Sequence, residues 1–584
     1  MRVNYLLDRF RAEVRQVIAA TGRVPEAQIE VTAPKPNIPA DLAFPAFRAA
    51  KELGVNPAQL AQELAGAITL EPDSLIGEVT VAGPFLNFAL NRARLATEVL
   101  NEVHSRGKHY GHDDLGQNQT VLVEYSSPNV AKRMHVGHIR TTIIGQSLFN
   151  IQQALGYHTI SDNHLGDWGK GFGVTLLAIE KAGKPDGTGE EAVAQLEDIY
   201  SRYSALIKED PVLDEAARAW SLRLEQGDPQ ARALWQWCVG LTMSYISPLY
   251  DRLGVRFDTM HGESFFEDKM QPVIDAALEQ ETAYRDDKGA VVVEGLEKLP
   301  TFLLQRTDGG TLYLTRDVAT IAYREAEYVP TKMVYVVDAR QELHFRQVFA
   351  LSRALGLASE TELIHISFGV VIDQHGEALS TRRGNMIFLQ ALLDEAHTRA
   401  RAVVDKTSPD FSEAEKERIA EAVGIGAVIY NDLYQDPRRS ITIDWDKMLA
   451  LEGNSAPYIQ YMHARCRSIL RKAAEEEAGL GRLHTADQAE YASMLTEAAE
   501  QNLIKQLARL PEAVREAGTR YATFVVADWC YETARALAAF YRDCPVLKAE
   551  SPELRAARLY LAAATAQALE NGLALLGIRA PKRM

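Results

Sequence analysis

The chain of 584 residues is short of several features that mark particular protein classes. It holds four cysteines, Cys238, Cys466, Cys530 and Cys544, and no Cys-x-x-Cys pair. That scarcity argues against a disulfide framework and a zinc knuckle, and it fits a reducing cytoplasm. Long apolar runs are also missing. Arg2, Asp8, Arg9 and Arg11 break up the first apolar stretch, so no secretory signal peptide is expected. Gln567, Glu570 and Asn571 interrupt the most apolar late segment, Leu559 to Ile578, which therefore reads as a packed helix and not a membrane span. Positive charge is in deficit, with 63 Lys and Arg against 79 Asp and Glu, a net charge of −16. A polyanionic partner would need local basic surfaces and not a global field. Two clusters qualify: Arg465, Arg467, Arg471 and Lys472, and the tail Arg579, Lys582 and Arg583. Solvated helix faces are the simpler reading of either cluster taken alone. Internal repeats and low-complexity linkers are absent.

What is present suggests three or four domains, because one core cannot serve this length. Residues 1 to about 110 read as an α/β unit with a helix from near Tyr5 to Thr21. Its strands are expected around Ile29–Val31, Gly77–Val81 and Phe85–Phe88. A helix from Pro57 to Ala67 is capped by Asn56, with Pro57 at the position where a missing N–H costs nothing. From about 111 to 445, β-rich runs alternate with helical patterns, as in a parallel sheet with crossover helices. Thr120–Tyr125, Lys332–Val337 and Leu363–Val371 are the strand candidates. Long, charged, helix-like sequence from about 175 to 300 reads as an insertion. Beyond about 446 only helical periodicity remains, which implies a helical bundle to residue 584.

The densest chemical signal is Pro128-Asn129-Val130-Ala131-Lys132-Arg133-Met134-His135-Val136-Gly137-His138. It follows the apolar run Val121–Tyr125 and precedes an amphipathic pattern, so it reads as strand, loop and helix N-terminus. Such a helix start offers N–H groups and a positive dipole end to phosphate. His135 and His138 add donors, and Gly137 leaves bare backbone against which a flat ring can lie. The Gly-rich stretch Gly166–Gly173 invites a P-loop reading. Gly171 follows Lys170 where Ser or Thr is required, so a backbone turn is the better reading.

The flanks Glu124-Tyr125-Ser126-Ser127-Pro128-Asn129 and Asp162-Asn163-His164-Leu165-Gly166-Asp167-Trp168-Gly169 make the segment resemble arginyl-tRNA synthetases, a class I aminoacyl-tRNA synthetase family. His135 to His138 matches the family's His-Ile-Gly-His signature with Val at the second position. The resemblance runs along nearly the whole chain. It implies a Rossmann-like parallel-sheet catalytic domain, an N-terminal α/β domain that touches the tRNA D-loop, and a C-terminal all-helical anticodon-binding domain. It also implies ATP with Mg²⁺ as substrate, L-arginine and tRNA(Arg) as partners, no prosthetic group, no dedicated metal site and a cytoplasmic monomer. In the family, charging occurs at the 2′-hydroxyl of the terminal adenosine and activation requires bound tRNA.

A guanidinium is a planar fork of donors, so its site needs fixed carboxylates. By resemblance, Glu124, Asn129, Tyr313, Asp317 and Gln341 match the positions that hold arginine. His135 and His138 are assigned to the phosphates and Gly137 to the adenosine. Asn163 and His164 are further ATP candidates, with a buried structural role the equal alternative for His164. Activation is then a displacement served by positioning and charge stabilisation. The second class I signature, Lys-Met-Ser-Lys, is matched by Ala378-Leu379-Ser380-Thr381-Arg382-Arg383, in which both lysines are lost. Ser380 and Arg382 remain as ATP candidates. Lys132 is expected to supply the missing cation, with Arg382 or Arg383 assisting.

For tRNA, Gly83-Pro84-Phe85-Leu86-Asn87-Phe88 resembles the family's D-loop segment and nominates Phe85 and Asn87. Leu451 to Tyr461 resembles the entry to the anticodon-binding domain, where Tyr458 and Tyr461 either stack on bases or pack between helices. Two rivals stand beside arginine–tRNA ligation: another class I synthetase, and a tRNA-binding paralogue without activity.

Overall fold

The apolar runs inside Thr120–Glu124 and Lys332–Asp338 can hide both faces only inside a parallel sheet covered by helices. The computed structural model describes residues 3–35, 37–373, 376–377, 379, 386–477 and 490–584, with Lys170 described in its backbone alone. Its central sheet has the order Glu362–Phe368, Lys332–Asp338, Thr120–Glu124, His158–Asp162. Every pairing is parallel, and Val121, Leu122 and Val123 are fully buried on its two faces. The chain enters at Thr120–Glu124 and later flanks that strand on both sides. This creates a switch in strand order, whose crevice lies outside the carboxyl ends. Glu124 and Asp162 end adjacent strands in register at that edge, and Asp338 ends the third strand three residues beyond the partner of Glu124.

The helix Val136–Ala154 crosses from the first strand to the second and is buried almost all round. Gly145 allows this closeness, since a Cβ there would lie 2.2 Å from the Tyr125 side chain. After His158–Asp162 come the helices Lys170–Ala182, Gly189–Leu206, Pro211–Glu225, Pro229–Leu253 and Met270–Glu279. The expected helical character ends there. Tyr284–Arg285, Val291–Val293 and Phe302–Gln305 form a small antiparallel sheet before the helix Tyr313–Tyr328. The Gly-rich stretch is a turn only to Gly169. Gly171 and Gly173 lie inside the helix from Lys170, and Gly173 sits against the helix Pro211–Glu225, where a Cβ would meet the Ala217 carbonyl at 2.2 Å.

The N-terminal unit packs the helix Leu6–Ala20 against a three-stranded antiparallel sheet ordered Leu42–Pro45, Phe85–Leu90, Ile76–Ala82. The strand expected at Ile29–Val31 does not form. Glu26–Gln28 is one 3-10 turn, and Thr32 alone bridges to Ala43. The sheet instead uses Leu42–Pro45, too short to show alternation. Asn56 caps its helix, accepting from the Ala58 and Gln59 N–H groups at 2.9 and 3.2 Å.

Beyond Thr442 the described residues contain only helical segments, chiefly Ala456–Glu477, Ala498–Ala508, Leu510–Arg520, Thr523–Asp543 and Pro552–Leu575. They grip the far end of the helix Val136–Ala154. Ser147 donates to the Leu575 carbonyl at 3.1 Å, Asn150 to Ala574 at 3.2 Å and Gln152 to Gly518 at 2.9 Å. No helix of the described residues is long and apolar enough to cross a membrane.

Candidate active site

The loop between Glu124 and the helix is held in an unfavourable backbone. Ser126, Ser127 and Ala131 have φ of 72°, 47° and 62°, left-handed values that cost non-glycine residues about 1–3 kcal/mol each. Hydrogen bonds over-determine them. The N–H groups of Ser126, Ser127 and Ala131 donate to Thr141 Oγ1 at 3.1 Å, Asn163 Oδ1 at 3.0 Å and Thr242 Oγ1 at 2.9 Å. Downstream, Val130 and Gly166 each donate a backbone hydrogen bond across the gap, to Gly166 and Pro128 respectively, both at 3.0 Å. Gly166 must lack a side chain, because a Cβ would fall 2.5 Å from Asn129 Oδ1. Asn129 is thus laid, exposed, along the mouth of the crevice.

His135 is the N-cap of the helix. Its Nδ1 accepts from the Gly137 N–H at 3.0 Å, and His138 Nδ1 accepts from the His135 N–H at 3.1 Å. The Val136 N–H donates to the Ile387 carbonyl at 3.0 Å and the His138 N–H to the His135 carbonyl at 2.8 Å. The helix start therefore does not offer phosphate these N–H groups, contrary to the sequence expectation. With both Nδ1 atoms accepting, the ring protons fall on Nε2, and these two N–H groups are the donors left. Gly137 is also not bare. The flat ring lying on it is that of His135, whose Cε1 would be 2.8 Å from an added Cβ. The two imidazoles lie 4.0 Å apart between centroids. Desolvation, followed by His135 and Lys132, pushes His138 down to about 3, and desolvation also lowers His135. Both are neutral donors at physiological pH.

Glu124 and Asp162 share one cation supplied by the chain itself. Arg324 Nη2 lies 2.6 Å from Glu124 Oε2 and 2.5 Å from Asp162 Oδ2, with all three side chains buried. Burial works against charge on Asp162, yet Arg324 and a hydrogen bond from Thr259 hold it below the usual carboxylate range. Atoms of Glu124, Asp162 and His164 come within 4.8 Å of one another in a cluster of metal-ligand type. Arg324 already engages both carboxylates, so the donor set reads as an ion-pair network. Neither Arg324 nor Asp162 was singled out for arginine from the sequence. The clue was periodicity: Tyr313, Asp317 and Arg324 repeat at four and seven residues on one helix face.

Tyr313 stands 63% exposed at the start of that helix, and Asp317 one turn later pairs with His344 at 2.5 Å. Gln341 is exposed immediately before the helix Glu342–Ala354. Arg316 on the same helix binds Glu263 at 2.9 Å, a third carboxylate that the sequence did not single out. The Asn163 amide is fully buried and occupied at both ends, by the Ser127 N–H and by Tyr250 Oη at 3.1 Å. It shapes the loop, with both ends of the amide engaged inside the protein. His164 Nδ1 lies 2.9 Å from the His261 carbonyl, leaving Nε2 towards the carboxylates. Lys132 is exposed, with Nζ 5.6 Å from the Tyr200 ring centroid. Ala378, Ser380, Thr381, Arg382 and Arg383 lie outside the described residues.

Of the tRNA candidates, Phe85 is partly exposed beneath Lys35 Nζ at 4.7 Å, in edge contact with Phe47. Phe47 is 51% exposed and was missed, since a lone Phe at a helix start carries no motif. Asn87 is only 1% exposed and donates to the Phe85 carbonyl, so its burial removes it from an RNA-facing surface. Tyr458 packs edge-on against Tyr531, whereas Tyr461 is exposed.

Known proteins match this arrangement along its length. Family models match at residues 8–90 (arginyl tRNA synthetase N terminal domain), 99–445 (tRNA synthetases class I (R), catalytic domain) and 459–584 (DALR anticodon binding domain). The arginine–tRNA ligase of Chloroflexus aggregans is 60% identical over 582 residues, covering 100% of both chains. That of Clostridioides difficile is 38% identical, covering 96% of each. The solved arginyl-tRNA synthetase of Thermus thermophilus superposes with a TM-score of 0.76 at 25% identity, over 98% of this chain and 100% of that one. With a family model over more than half its length and full-length relatives on either side of it, the chain belongs to the class I arginyl-tRNA synthetases.

Proposed function

We propose that the chain joins L-arginine to tRNA(Arg) at the expense of ATP, through an arginyl-adenylate, releasing AMP and pyrophosphate. The observation that carries this reading is the pairing of Glu124 and Asp162 at the carboxyl edge of the sheet, beside two neutral histidines on the helix that follows the strand of Glu124. Tyr313, Asp317 and Gln341 complete an arginine pocket with Glu124 and Asn129. Asp317 is the carboxylate offered to the incoming guanidinium, because Glu124 is already shared with Arg324. Exchanging His344 for the substrate's planar fork keeps the Asp317 charge satisfied.

His135 and His138 donate from Nε2 to ATP phosphates, and Lys132 leaves Tyr200 to meet the charge that develops on pyrophosphate, with Arg382 assisting from the second loop. Mg²⁺ would enter as the companion of ATP and supply positive charge to its phosphates. The 2′-hydroxyl of the terminal adenosine then takes the arginyl group. Residues 1–110 meet the tRNA D-loop through Phe85, and 446–584 meet the anticodon, where Tyr461 is the exposed aromatic. Four buried, unpaired cysteines suit a reducing cytoplasm. We assign a monomer.

ATP–pyrophosphate exchange with arginine, run with and without tRNA(Arg), tests the reading. Exchange specific to arginine is the expected result. Exchange with a different amino acid would point to another class I synthetase, and no exchange in either condition would leave only tRNA binding.

A further inference from the structure

Arg340 comes two residues after the strand Lys332–Asp338, on the single turn Ala339–Gln341 at the carboxyl edge of the sheet. Its side chain is 80% exposed, yet its direction is fixed. Nε and Nη2 bind the two oxygens of Asp338 at 2.9 and 2.7 Å, and the Arg340 N–H donates to the same carboxylate at 2.8 Å. Burial works against charge on Asp338, but Arg340 holds it below the usual carboxylate range. Among the described residues nothing accepts from Nη1. A planar fork clamped along one edge presents its remaining donors in a preset direction, with little rotamer freedom left to lose on contact.

Two parts of the site flank that donor. On one side is the signature helix, whose Thr141 Oγ1 donates to the Val336 carbonyl at 2.6 Å, one turn after His138. This bond ties the strand end to the two imidazoles. Burial is the main cause of the lowered His135, and Glu197 opposes it; of the cations that deepen it, Arg340 acts more strongly than Lys132. On the other side is the candidate arginine pocket. Gln341 is the next residue, and the helix Glu342–Ala354 that follows sets His344 against Asp317 at 2.5 Å.

We propose that Arg340 is a catalytic residue of the activation step, donating from Nη1 to the α-phosphoryl group of ATP. The inference rests on the reading that His135 and His138 meet phosphates while Asp317 and Gln341 hold arginine. In activation, a carboxylate oxygen of arginine forms a bond to the α-phosphorus. The bond from that phosphorus to the oxygen leading to the β-phosphate breaks, and pyrophosphate leaves with the electron pair. No proton changes hands. The reacting phosphorus must therefore lie between the amino-acid pocket and the phosphate donors, where Arg340 stands. A guanidinium N–H aimed at its non-bridging oxygens stabilises the charge that gathers there. Lys132, over the Tyr200 ring, is left to the departing pyrophosphate.

The test is ATP–pyrophosphate exchange at saturating tRNA(Arg), titrating ATP and arginine separately, in Arg340→Ala, Asp338→Asn and the double variant, alongside thermal melting. Arg340→Ala should melt like the parent and lose about tenfold or more in kcat, with the arginine and tRNA KM values within about twofold. Asp338→Asn should lose less, and adding it to Arg340→Ala should change kcat by less than about twofold, because it acts only through the clamp. Should Arg340→Ala fail to fold, Arg340→Gln takes its place under the same criteria. An unchanged kcat, an arginine or tRNA KM that worsens beyond that limit, or a full further loss in the double variant would overturn the proposal. Failure of the parent protein to catalyse arginine-dependent exchange would instead overturn the reading on which it rests.

Discussion

Arg324 holds Glu124 at 2.6 Å and Asp162 at 2.5 Å with the same Nη2 atom. Two carboxylates and one guanidinium leave a net charge of −1 on this trio. A cationic substrate is thus attracted without an uncompensated pair of buried carboxylates.

Replacing Arg324 by Gln should cost about 3–5 kcal/mol, because two buried carboxylates then lose their partner. Adding Asp162→Asn should restore part of that loss. Urea unfolding of the single and double variants checks this, and a double variant no more stable than Arg324→Gln would contradict it.

Gly145→Ala sets two effects against each other. In an exposed helix the change would gain about 1 kcal/mol. Here the new Cβ would stand 2.2 Å from the Cβ of Tyr125, an atom that no rotamer moves away, and such overpacking costs about 1–3 kcal/mol. Steric conflict wins, so the melting temperature and the exchange rate should both fall. A more stable variant would show that Tyr125 yields.

The pH dependence of stability should carry the signature of His138. Its folded imidazole is pushed to about 3, whereas an unfolded chain titrates near about 6.5. Between those values the unfolded state binds the extra proton. The contribution is therefore complete above about 6.5 and is lost as pH falls towards 3. His112, lowered to about 4 by burial, adds a similar slope to any variant. Unfolding free energy measured down from neutral pH should drop less steeply in His138→Gln than in the parent. Equal slopes would refute the assignment.

Lys132→Ala should leave stability within about 0.5 kcal/mol, since the side chain is exposed. Exchange should fall by about tenfold or more, as for other lost charge-stabilising donors. Arg382→Ala is the comparison. Normal exchange in the Lys132 variant would transfer the role to the second segment.

Phe47→Ala should raise the KM for tRNA(Arg) by about fivefold or more, the effect of losing one stacked ring. Arginine and ATP constants at saturating tRNA should not move. An unchanged tRNA KM would confine Phe47 to packing against Phe85.

Motifs on regular elements were easy to read in the sequence. The Asn56 cap, the strand Thr120–Glu124 and the helix after His135 depend on local periodicity and short-range chemistry, which one window of sequence contains. The strand Leu42–Pro45 was hidden because four residues cannot show alternation. Partnership was harder. Glu124 was legible as a site residue, but Arg324, which shares it, lies 200 positions away and carries no motif. The helix start was legible as a phosphate site, yet its N–H groups are consumed by the same histidines that advertised it. Asn87 failed for another reason: alternation puts it on the face of Phe85 and Ala89, but it lies mid-way along the central strand, where its surroundings bury it.

The bonds from Ser147, Asn150 and Gln152 to carbonyls at 574, 575 and 518 bear on synthesis of the chain. A ribosome makes the signature helix in the first third of translation and its supports in the last. Until Gly518 has left the exit tunnel, the apolar side chains of Ile151 and Leu155 lack the surface they pack against, and until Leu575 has left it, Ser147 and Asn150 lack their acceptors. The nascent catalytic half is then a sticky intermediate exposed to aggregation and proteolysis. Truncations that remove the final helix should accordingly yield insoluble protein and not an isolated, slower enzyme.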